Sequence, residues 1–319
     1  MFFRTLNVLR CRLACWFLDR NWSKSIFLSN LVAPDTTSLI RHAPRRPLPQ
    51  RLPPRSHLIY HQSTVDDLCA RNSLRSLAAQ LPPEDEVVVL DVGATASPGL
   101  GAEFANHEWF SLVRARAAHP EQQSYTFGLN LVMPGLKAPQ LFVWRTDYVF
   151  PPDLFARYVR AMAQADFAAP YNVLIGSPEV DSAFVDAHWD RIAPFDTAYW
   201  SERAQLLPIY EHQDPALFGI TRSLWDRIGG LNHQLWGYGW QFAEFAARVR
   251  LAAPVDRIRY FDGASPLHQT HAGSQMHRPA ERKAEADAGI HRFTEFLGGP
   301  AAYRIYRLRQ KLPPRPPAQ

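Results

Sequence analysis

The sequence is poor in cysteine and lysine. Only 3 of its 319 residues are cysteine, an odd number in a long chain, which argues against a disulfide framework and favours a reducing compartment. Cys11 and Cys15 form a C-x3-C pair without a second pair, a pattern that does not indicate a zinc site. We therefore expect a cytoplasmic protein.

The sequence also lacks a long apolar run. No stretch approaches the roughly 18 apolar residues that a membrane-spanning helix needs. Charged residues interrupt the N-terminal segment, and its longest apolar stretch, Leu13 to Leu18, is too short for a good signal peptide. The basic and aromatic residues around it would suit a helix lying in a membrane interface, so peripheral association with a membrane is left open.

The formal net charge of +5 comes almost entirely from arginine, because the chain has only four lysines. No cluster of Lys and Arg alternates with aromatic residues along one face, as a groove for single-stranded nucleic acid requires. We therefore expect no nucleic-acid partner.

Proline marks the edges of the predicted folded part. The run RHAPRRPLPQRLPPR (41–55) cannot form a helix or a central strand and is interpreted as a linker. We expect a basic, proline-rich N-terminal extension and linker over 1–55 and a single catalytic-type domain over 56–278. A C-terminal helix and a proline-rich tail are expected over 279–319.

Strands and helices alternate within the central domain. The segment HLIYHQS (57–63) predicts a first strand, and EVVVLDVG (86–93) predicts a buried parallel strand. Between them, Thr64 with Asp67 as its capping-box partner predicts the start of a helix, so the unit is a right-handed βαβ. LFVWRTDY (141–148) predicts a further strand that ends at a carboxylate. The expected fold class is α/β, with a mixed, mostly parallel sheet flanked by helices.

Two aspartates follow predicted strands. Ligands of parallel α/β sheets bind at the carboxyl ends of the strands, and this rule selects Asp91, after EVVVL, and Asp147, after LFVWRT. Asp91 would serve equally well as a turn former at the end of its strand. Asp147 precedes a turn that is expected to be exposed, and it is the better-placed candidate.

Four stretches, in chain order, share the pattern of one enzyme class. They read ARNSLRSL (70–77), VVVLDVGAT (87–95), FVWRTDYVFPPDLF (142–155) and IGGLNHQLWGYGWQFAEFAARV (228–249). Together they resemble the nucleotide-sugar glycosyltransferases of the GT-A fold, specifically family 2 and the C-terminal half of β-1,4-galactosyltransferases. The resemblance is most specific at the W-G-aromatic-G segment. It implies a GT-A, Rossmann-like fold and transfer of a sugar from a nucleotide-diphosphate donor to a glycan or lipid-linked acceptor, as in polysaccharide biosynthesis.

The resemblance implies a metal site. In that family the second Asp of a D-x-D motif and, in the galactosyltransferases, a downstream histidine hold a divalent cation. Asp147 matches this second Asp, and His271 lies 30 residues past Gln241, a spacing comparable to the family's; His268 is the near alternative. The expected cofactor is Mn2+ or Mg2+, which would neutralise the diphosphate leaving group. Asp91 would contact the nucleotide.

The sequence also departs from the family pattern. Arg145 stands at the first D-x-D position, where a guanidinium could neutralise the diphosphate directly and make the cation dispensable; a solvent-exposed arginine is the alternative. Phe242 replaces an acid of the family's cluster, so Glu244 is the remaining candidate for the general base. Helical spacing places Glu244 on one stripe with Arg248, and an i,i+4 pair worth about a few tenths of a kcal/mol is the alternative role.

Trp236, Gly237 and Tyr238 lie in a loop rich in glycine and tryptophan. Aromatic rings pack on the C–H faces of sugars, and glycine permits close approach of the backbone, so these are candidate sugar-binding or acceptor-binding residues. A core plug beneath a turn is the alternative. The chain is thus expected to be a glycosyltransferase of the hexosyltransferase type. The alternative is a catalytically inactive relative that binds nucleotide, glycan or a partner enzyme.

Overall fold

A computed structural model describes residues 38–42, 52–62, 65–92, 99–116, 125–192, 199–200, 202–208, 217–232 and 241–271. The strands in these ranges are β1 (Ser38–His42), β2 (Arg55–Gln62), β3 (Glu86–Val92), β4 (Trp109–Arg116), β5 (Gln140–Arg145), β6 (Tyr148–Val149), β7 (Phe167–Pro170), β8 (Asn172–Gly176), β9 (Ala204–Pro208), β10 (Phe218–Thr221), β11 (Ile258–Phe261) and β12 (Leu267–His268). The α-helices are α1 (Asp67–Ala78), α2 (Tyr125–Val132), α3 (Leu154–Met162), α4 (Ser182–Ala187), α5 (Trp189–Ile192), α6 (Arg222–Ile228) and α7 (Gln241–Ala252).

Eight strands form the main sheet, in the order β1-β4-β3-β2-β5-β10-β7-β11. The neighbours β4, β3, β2 and β5 run parallel, as do β7 and β11, whereas β1 and β10 are antiparallel to the strands beside them. This confirms the predicted fold class of a mixed, mostly parallel sheet flanked by helices. A second sheet has the order β6-β12-β8-β9.

Helices cover both faces of the main sheet. Side chains alternate along each strand, so Val88 and Leu90 of β3 enter one core while Val87 and Val89 enter the other. The first core packs α2, α6 and α7 against the sheet, and the second packs α1 and α3. A strand that is buried on both faces therefore reads as one continuous apolar run, as EVVVL does.

Helix α1 begins later than the sequence pattern indicates. The pattern predicts a start at Thr64 with Asp67 as its capping partner, but the helix begins at Asp67. Asp66 is the N-cap instead, and its carboxylate accepts a hydrogen bond of 2.7 Å from the N–H of Cys69. A carboxylate caps a helix as well as a hydroxyl does and also complements the positive end of the helix dipole, which explains the shift.

The other predicted elements lie close to their expected bounds. Strands β2, β3 and β5 begin and end within three residues of the predicted limits. Helix α6 ends at Gly229, whose φ of 73° is left-handed and suits glycine, so a Gly-Gly pair in the sequence is a signal for this end. The predicted C-terminal helix and tail of 279–319 lie outside the described residues.

Part of the predicted N-terminal extension contributes to the main sheet. Strand β1, at Ser38–His42, pairs with β4 along one edge. Within the described part of the chain, no helix combines the length and apolar character that crossing a bilayer requires.

His57 lies in a fully buried hydrogen-bond network near the start of β2. Its Nδ1 accepts a hydrogen bond of 3.1 Å from Nε1 of Trp144, and its Nε2 donates to Asp85 at 2.9 Å. Only the neutral ring with its proton on Nε2 satisfies both contacts. Burial lowers the pKa of His57 below its usual 6.5, although Asp85 acts in the opposite direction.

We expect the free energy of unfolding to fall as the pH is lowered through about 6.5. In this range the imidazole of His57 takes up a proton in the unfolded chain but resists it in the folded chain. The contribution of His57 to the free energy of unfolding is therefore fully present above about pH 6.5 and is lost progressively below it. Burial also lowers the pKa of His61 and His107, which adds to the trend. Urea unfolding at about pH 7.5 and about pH 5.5 measures the effect. An equal or larger free energy of unfolding at the lower pH would contradict it.

Candidate functional site

The carboxyl ends of three neighbouring parallel strands carry polar side chains. In register, His61 of β2 lies opposite Asp91 of β3, and Tyr60 of β2 lies opposite Arg145 of β5. The chain leaves β5 through a two-residue turn that contains Asp147 and then enters β6. The structure thus places Asp91 and Asp147 at the same edge of the sheet, where the carboxyl-end rule predicts a ligand site.

The second sheet brings two histidines to this edge. Strand β12 pairs antiparallel with β6, so that His268 lies opposite Tyr148. The N–H of Gln269 donates to the carbonyl oxygen of Asp147, and the N–H of Thr270 donates to that of Val180, both at 2.9 Å. Backbone hydrogen bonds therefore hold the segment of His268 and the following residues beside the turn after β5.

The side chain of Gln269 ties the same segment to helix α1. Its Oε1 accepts from Nδ2 of Asn72 at 3.1 Å, and its Nε2 donates to the carbonyl oxygen of Cys69 at 3.1 Å. Both amide side chains are fully buried. Because buried amides are costly to leave without partners, these bonds limit how far the histidine segment can move.

Asp147, His268 and His271 converge on one point. Nε2 of His268 lies 3.3 Å from Oδ2 of Asp147, and Nε2 of His271 lies 3.8 Å from the same oxygen. One ligand atom from each of the three residues falls within 4.8 Å of the others. The side chain of Asp147 is only 1% exposed, whereas that of His268 is 16% exposed. We call these three residues the Asp-His-His cluster.

The Asp-His-His cluster fits a divalent cation. Its donors are one carboxylate and two imidazole nitrogens, a set that suits Mn2+ better than Mg2+, which prefers oxygen ligands. Oδ1 of Asp147 is buried and has no hydrogen-bond partner among the residues that the structure describes. Both oxygens of a carboxylate can bind one cation, so a cation held at Oδ2 beside the two histidines would also give this buried atom a partner.

Asp147 is ionised at neutral pH. Burial alone would raise its pKa, but the charge of Arg145 and hydrogen bonds from His268 and His271 outweigh this effect. Together they hold the pKa of Asp147 well below its usual value. A carboxylate that has already lost its proton binds a cation without a competing deprotonation step.

Arg145 contacts the cluster directly. Its Nη2 donates to Oδ2 of Asp147, and its Cζ lies 5.8 Å from the centre of the Tyr148 ring. The side chain is 23% exposed, so it is neither buried nor the freely solvated strand-end arginine that the sequence left as an alternative. Arg145 therefore belongs to the site, with its charge directed at the carboxylate.

His61 also lies at this edge of the sheet, although no motif in the sequence marks it. Its Nδ1 is hydrogen-bonded to Oγ1 of Thr146 at 2.9 Å, which connects the end of β2 to the turn that carries Asp147. Asp91 is fully buried beside it, with Oδ2 3.6 Å from Nε of Arg114 on β4. The carboxyl-end rule applies to His61 as well, since it lies near the end of the predicted strand HLIYHQS (57–63), and that signal could have found it.

Glu244 forms a buried ion pair on α7. Its Oε1 and Oε2 accept from Nε and Nη2 of Arg248 at 2.6 and 2.8 Å, and Nη1 of Arg248 donates to the carbonyl oxygens of Ile228 and Gly230. Burial raises the pKa of Glu244, against the lowering effect of Arg248. The structure thus shows the fully buried ion pair that the sequence left as an alternative. The general-base role of Glu244 stays a prediction, which a carboxylate with both oxygens hydrogen-bonded to Arg248 does not favour.

Phe242, Phe245 and Val249 follow one another at helical spacing and predict a buried face that is separate from the stripe of Glu244 and Arg248. The structure buries both sets of side chains, because residues 228 and 230 pack over the charged stripe. Trp236, Gly237 and Tyr238 lie outside the described residues, so their contacts with sugars stay predictions.

No protein-family model matches the chain, and no curated protein matches its sequence. Similar solved structures include TarS 1-349 of S. aureus, with 15% identity over 67% of this chain and 60% of that one, at a TM-score of 0.46. The mannosyltransferase PcManGT from Pyrobaculum calidifontis, in complex with GDP-Man and Mn2+, is 13% identical over 96% and 80% of the two chains, at 0.49. Glucosyl-3-phosphoglycerate synthase from Mycobacterium tuberculosis is 12% identical over 77% and 80%, at 0.44. All three similarities are distant.

Proposed function

We propose that this chain is a glycosyltransferase that transfers a sugar from a nucleoside-diphosphate donor to a glycan or lipid-linked acceptor. The observation that carries the proposal is the convergence of Asp147, His268 and His271 at the carboxyl edge of a mixed, mostly parallel sheet. A cation-binding cluster at this edge, beside the buried Asp91, suits a donor that joins a nucleoside to two phosphates.

Each residue of the site has a distinct role in this proposal. Asp147, His268 and His271 would hold the cation, with Mn2+ preferred. When bound, the cation supplies charge neutralisation for the diphosphate as it leaves the sugar. Arg145 can donate two hydrogen bonds to phosphate oxygens through its planar guanidinium. Asp91 would accept hydrogen bonds from the nucleoside.

The aromatic loop completes the proposal on the sugar side. Trp236 and Tyr238 would pack on the apolar faces of the donor or acceptor sugar, and Gly237 would let the backbone approach it. Peripheral contact with a membrane would bring such a site close to a lipid-linked acceptor.

A second candidate function is binding without catalysis. The segment that matches the family's acidic cluster is packed into the fold. Within it, Glu244 is paired with Arg248 and Phe242 is buried. A chain that has lost this base could keep the fold and still bind a nucleotide, a glycan or a partner enzyme.

Turnover of sugar nucleotides separates the two functions. We expect the purified full chain to release nucleoside diphosphate from at least one UDP-sugar or GDP-sugar with Mn2+, more slowly with Mg2+, and not with a chelator present. Activity that persists with the chelator would instead favour direct neutralisation by Arg145. A donor that raises the unfolding temperature but is never consumed would support the binding function. A chain that neither consumes nor is stabilised by any donor would contradict both proposals.

A further inference from the structure

Arg145 and a bound cation would need the same atom. Oδ2 of Asp147 accepts the hydrogen bond from Arg145, and it is also the carboxylate oxygen that lies 3.3 Å from His268 and 3.8 Å from His271. A cation held by both imidazoles and this oxygen would lie close to the guanidinium, and like charges so close repel each other. Arg145 and the cation would therefore compete for Oδ2 of Asp147.

The charges at the site point the same way. Asp147 is almost completely buried, and Arg145 supplies the charge that balances it. A divalent cation added to this pair leaves two net positive charges in a partly buried place, and these repel each other. A diphosphate carries the negative charge that would restore the balance.

The position of Arg145 allows the exchange. Its side chain is 23% exposed, so part of it already faces solvent and the core does not enclose it. The planar guanidinium matches the spacing of phosphate oxygens, which an ammonium group does not. The ring of Tyr148, 5.8 Å from Cζ of Arg145, offers a face on which the side chain can remain stacked.

We propose that Arg145 is a built-in counter-cation that occupies Asp147 until a divalent cation and a diphosphate bind together. Arg145 thereby weakens binding of the cation alone and couples it to binding of the diphosphate. The coupling rests on the proposed function, whereas the competition between Arg145 and the cation does not.

Binding of Mn2+ alone tests the competition. Calorimetry on the full chain is expected to show that Arg145→Gln binds Mn2+ about tenfold or more tightly than the unmodified protein. The matched control is Arg257→Gln, because Arg257 is an exposed partner of Asp166 at 2.9 Å and its loss changes the net charge equally. Arg145→Lys retains the charge, so its affinity for Mn2+ is expected to be about as low as that of the unmodified protein. Equal Mn2+ affinities in Arg145→Gln and the unmodified protein, or no Mn2+ binding in either, would overturn the proposal.

A second titration tests the coupling. UDP is expected to strengthen Mn2+ binding by a larger factor in the unmodified protein than in Arg145→Gln, and an equal factor in both would overturn this part. If Arg145→Gln fails to fold, Arg145→Met at the same position gives the same comparison, since it removes the charge and keeps the apolar stem. Tighter Mn2+ binding by Arg145→Gln, with no turnover of any sugar nucleotide by the unmodified protein, would support the competition and refute the proposed function. Turnover by the unmodified protein, with the same Mn2+ affinity in Arg145→Gln, would support the proposed function and refute the competition.

Discussion

Replacing Asp147 by asparagine is expected to weaken Mn2+ binding at least about 100-fold and to abolish cation-dependent release of nucleoside diphosphate. The amide keeps the shape of the side chain but removes the one negative charge of the Asp-His-His cluster. Arg145 is partly exposed, so solvent can take over its hydrogen bonds and the fold should survive the change. Calorimetry with Mn2+ and an assay of donor hydrolysis measure the two effects.

The control for this variant removes a carboxylate elsewhere. Asp166→Asn breaks the ion pair with Arg257, which lies outside the Asp-His-His cluster, and should leave Mn2+ affinity unchanged. Asp147→Asn with the Mn2+ affinity and turnover of the unmodified protein would show that Asp147 is no ligand. An equal loss of Mn2+ affinity in Asp147→Asn and Asp166→Asn would indicate a general effect of charge or folding.

Replacing Glu244 by glutamine is expected to lower the free energy of unfolding by about 3–5 kcal/mol, the usual cost of removing one partner of a buried ion pair. Arg248 would keep its carbonyl partners but lose its countercharge at a position where its side chain is only 6% exposed. Urea unfolding followed by tryptophan fluorescence measures the loss. Activity per folded molecule, measured well below the unfolding temperature, should change little, because both carboxylate oxygens of Glu244 are hydrogen-bonded to Arg248.

An exposed pair with the same spacing is the control. Asp153 and Arg157 also lie four residues apart and are 2.7 Å from each other, but both side chains are substantially exposed. Asp153→Asn should cost less than about 0.5 kcal/mol. If Glu244→Gln were stable but lost activity by about 100-fold or more, Glu244 would act as a general base and the ion-pair role would be wrong.

The elements that can be recognised in the sequence have either a long apolar run or a residue that marks their end. The apolar run of β3 and the glycine stop of α6 each carry a local cause, burial on both faces in one case and a left-handed residue in the other. Strands β6 and β12 have two residues each, too few to show any period. Yet the pairing of these two strands places His268 beside Asp147. The contact between the two residues could therefore not be predicted from the periodicity of the sequence.

The members of the Asp-His-His cluster were predicted on two different grounds. Asp147 follows from the carboxyl-end rule, whereas His268 and His271 follow only from a resemblance to a family whose metal ligand lies far along the chain. The contact between Arg145 and Asp147 is local, two residues apart, but neither pattern nor resemblance indicated it. A pair at this spacing meets only because the chain turns immediately after β5.

The ion pair of Glu244 and Arg248 shows where helical periodicity fails. The i,i+4 spacing predicts the pair correctly, and the energy of about a few tenths of a kcal/mol applies to a solvated helix surface. The structure instead covers the pair with the backbone around Ile228 and Gly230. Periodicity describes one helix and carries no information about what packs on its polar side.

We propose above all that one divalent cation binds between Asp147, His268 and His271. Crystals of the full chain soaked with Mn2+ and UDP, with anomalous diffraction recorded at the manganese edge, test it most directly. We predict a single strong peak at about 2.0–2.4 Å from the carboxylate and both imidazoles. The absence of a peak there, or a peak bound elsewhere on the chain with the Asp-His-His cluster empty, would contradict the claim.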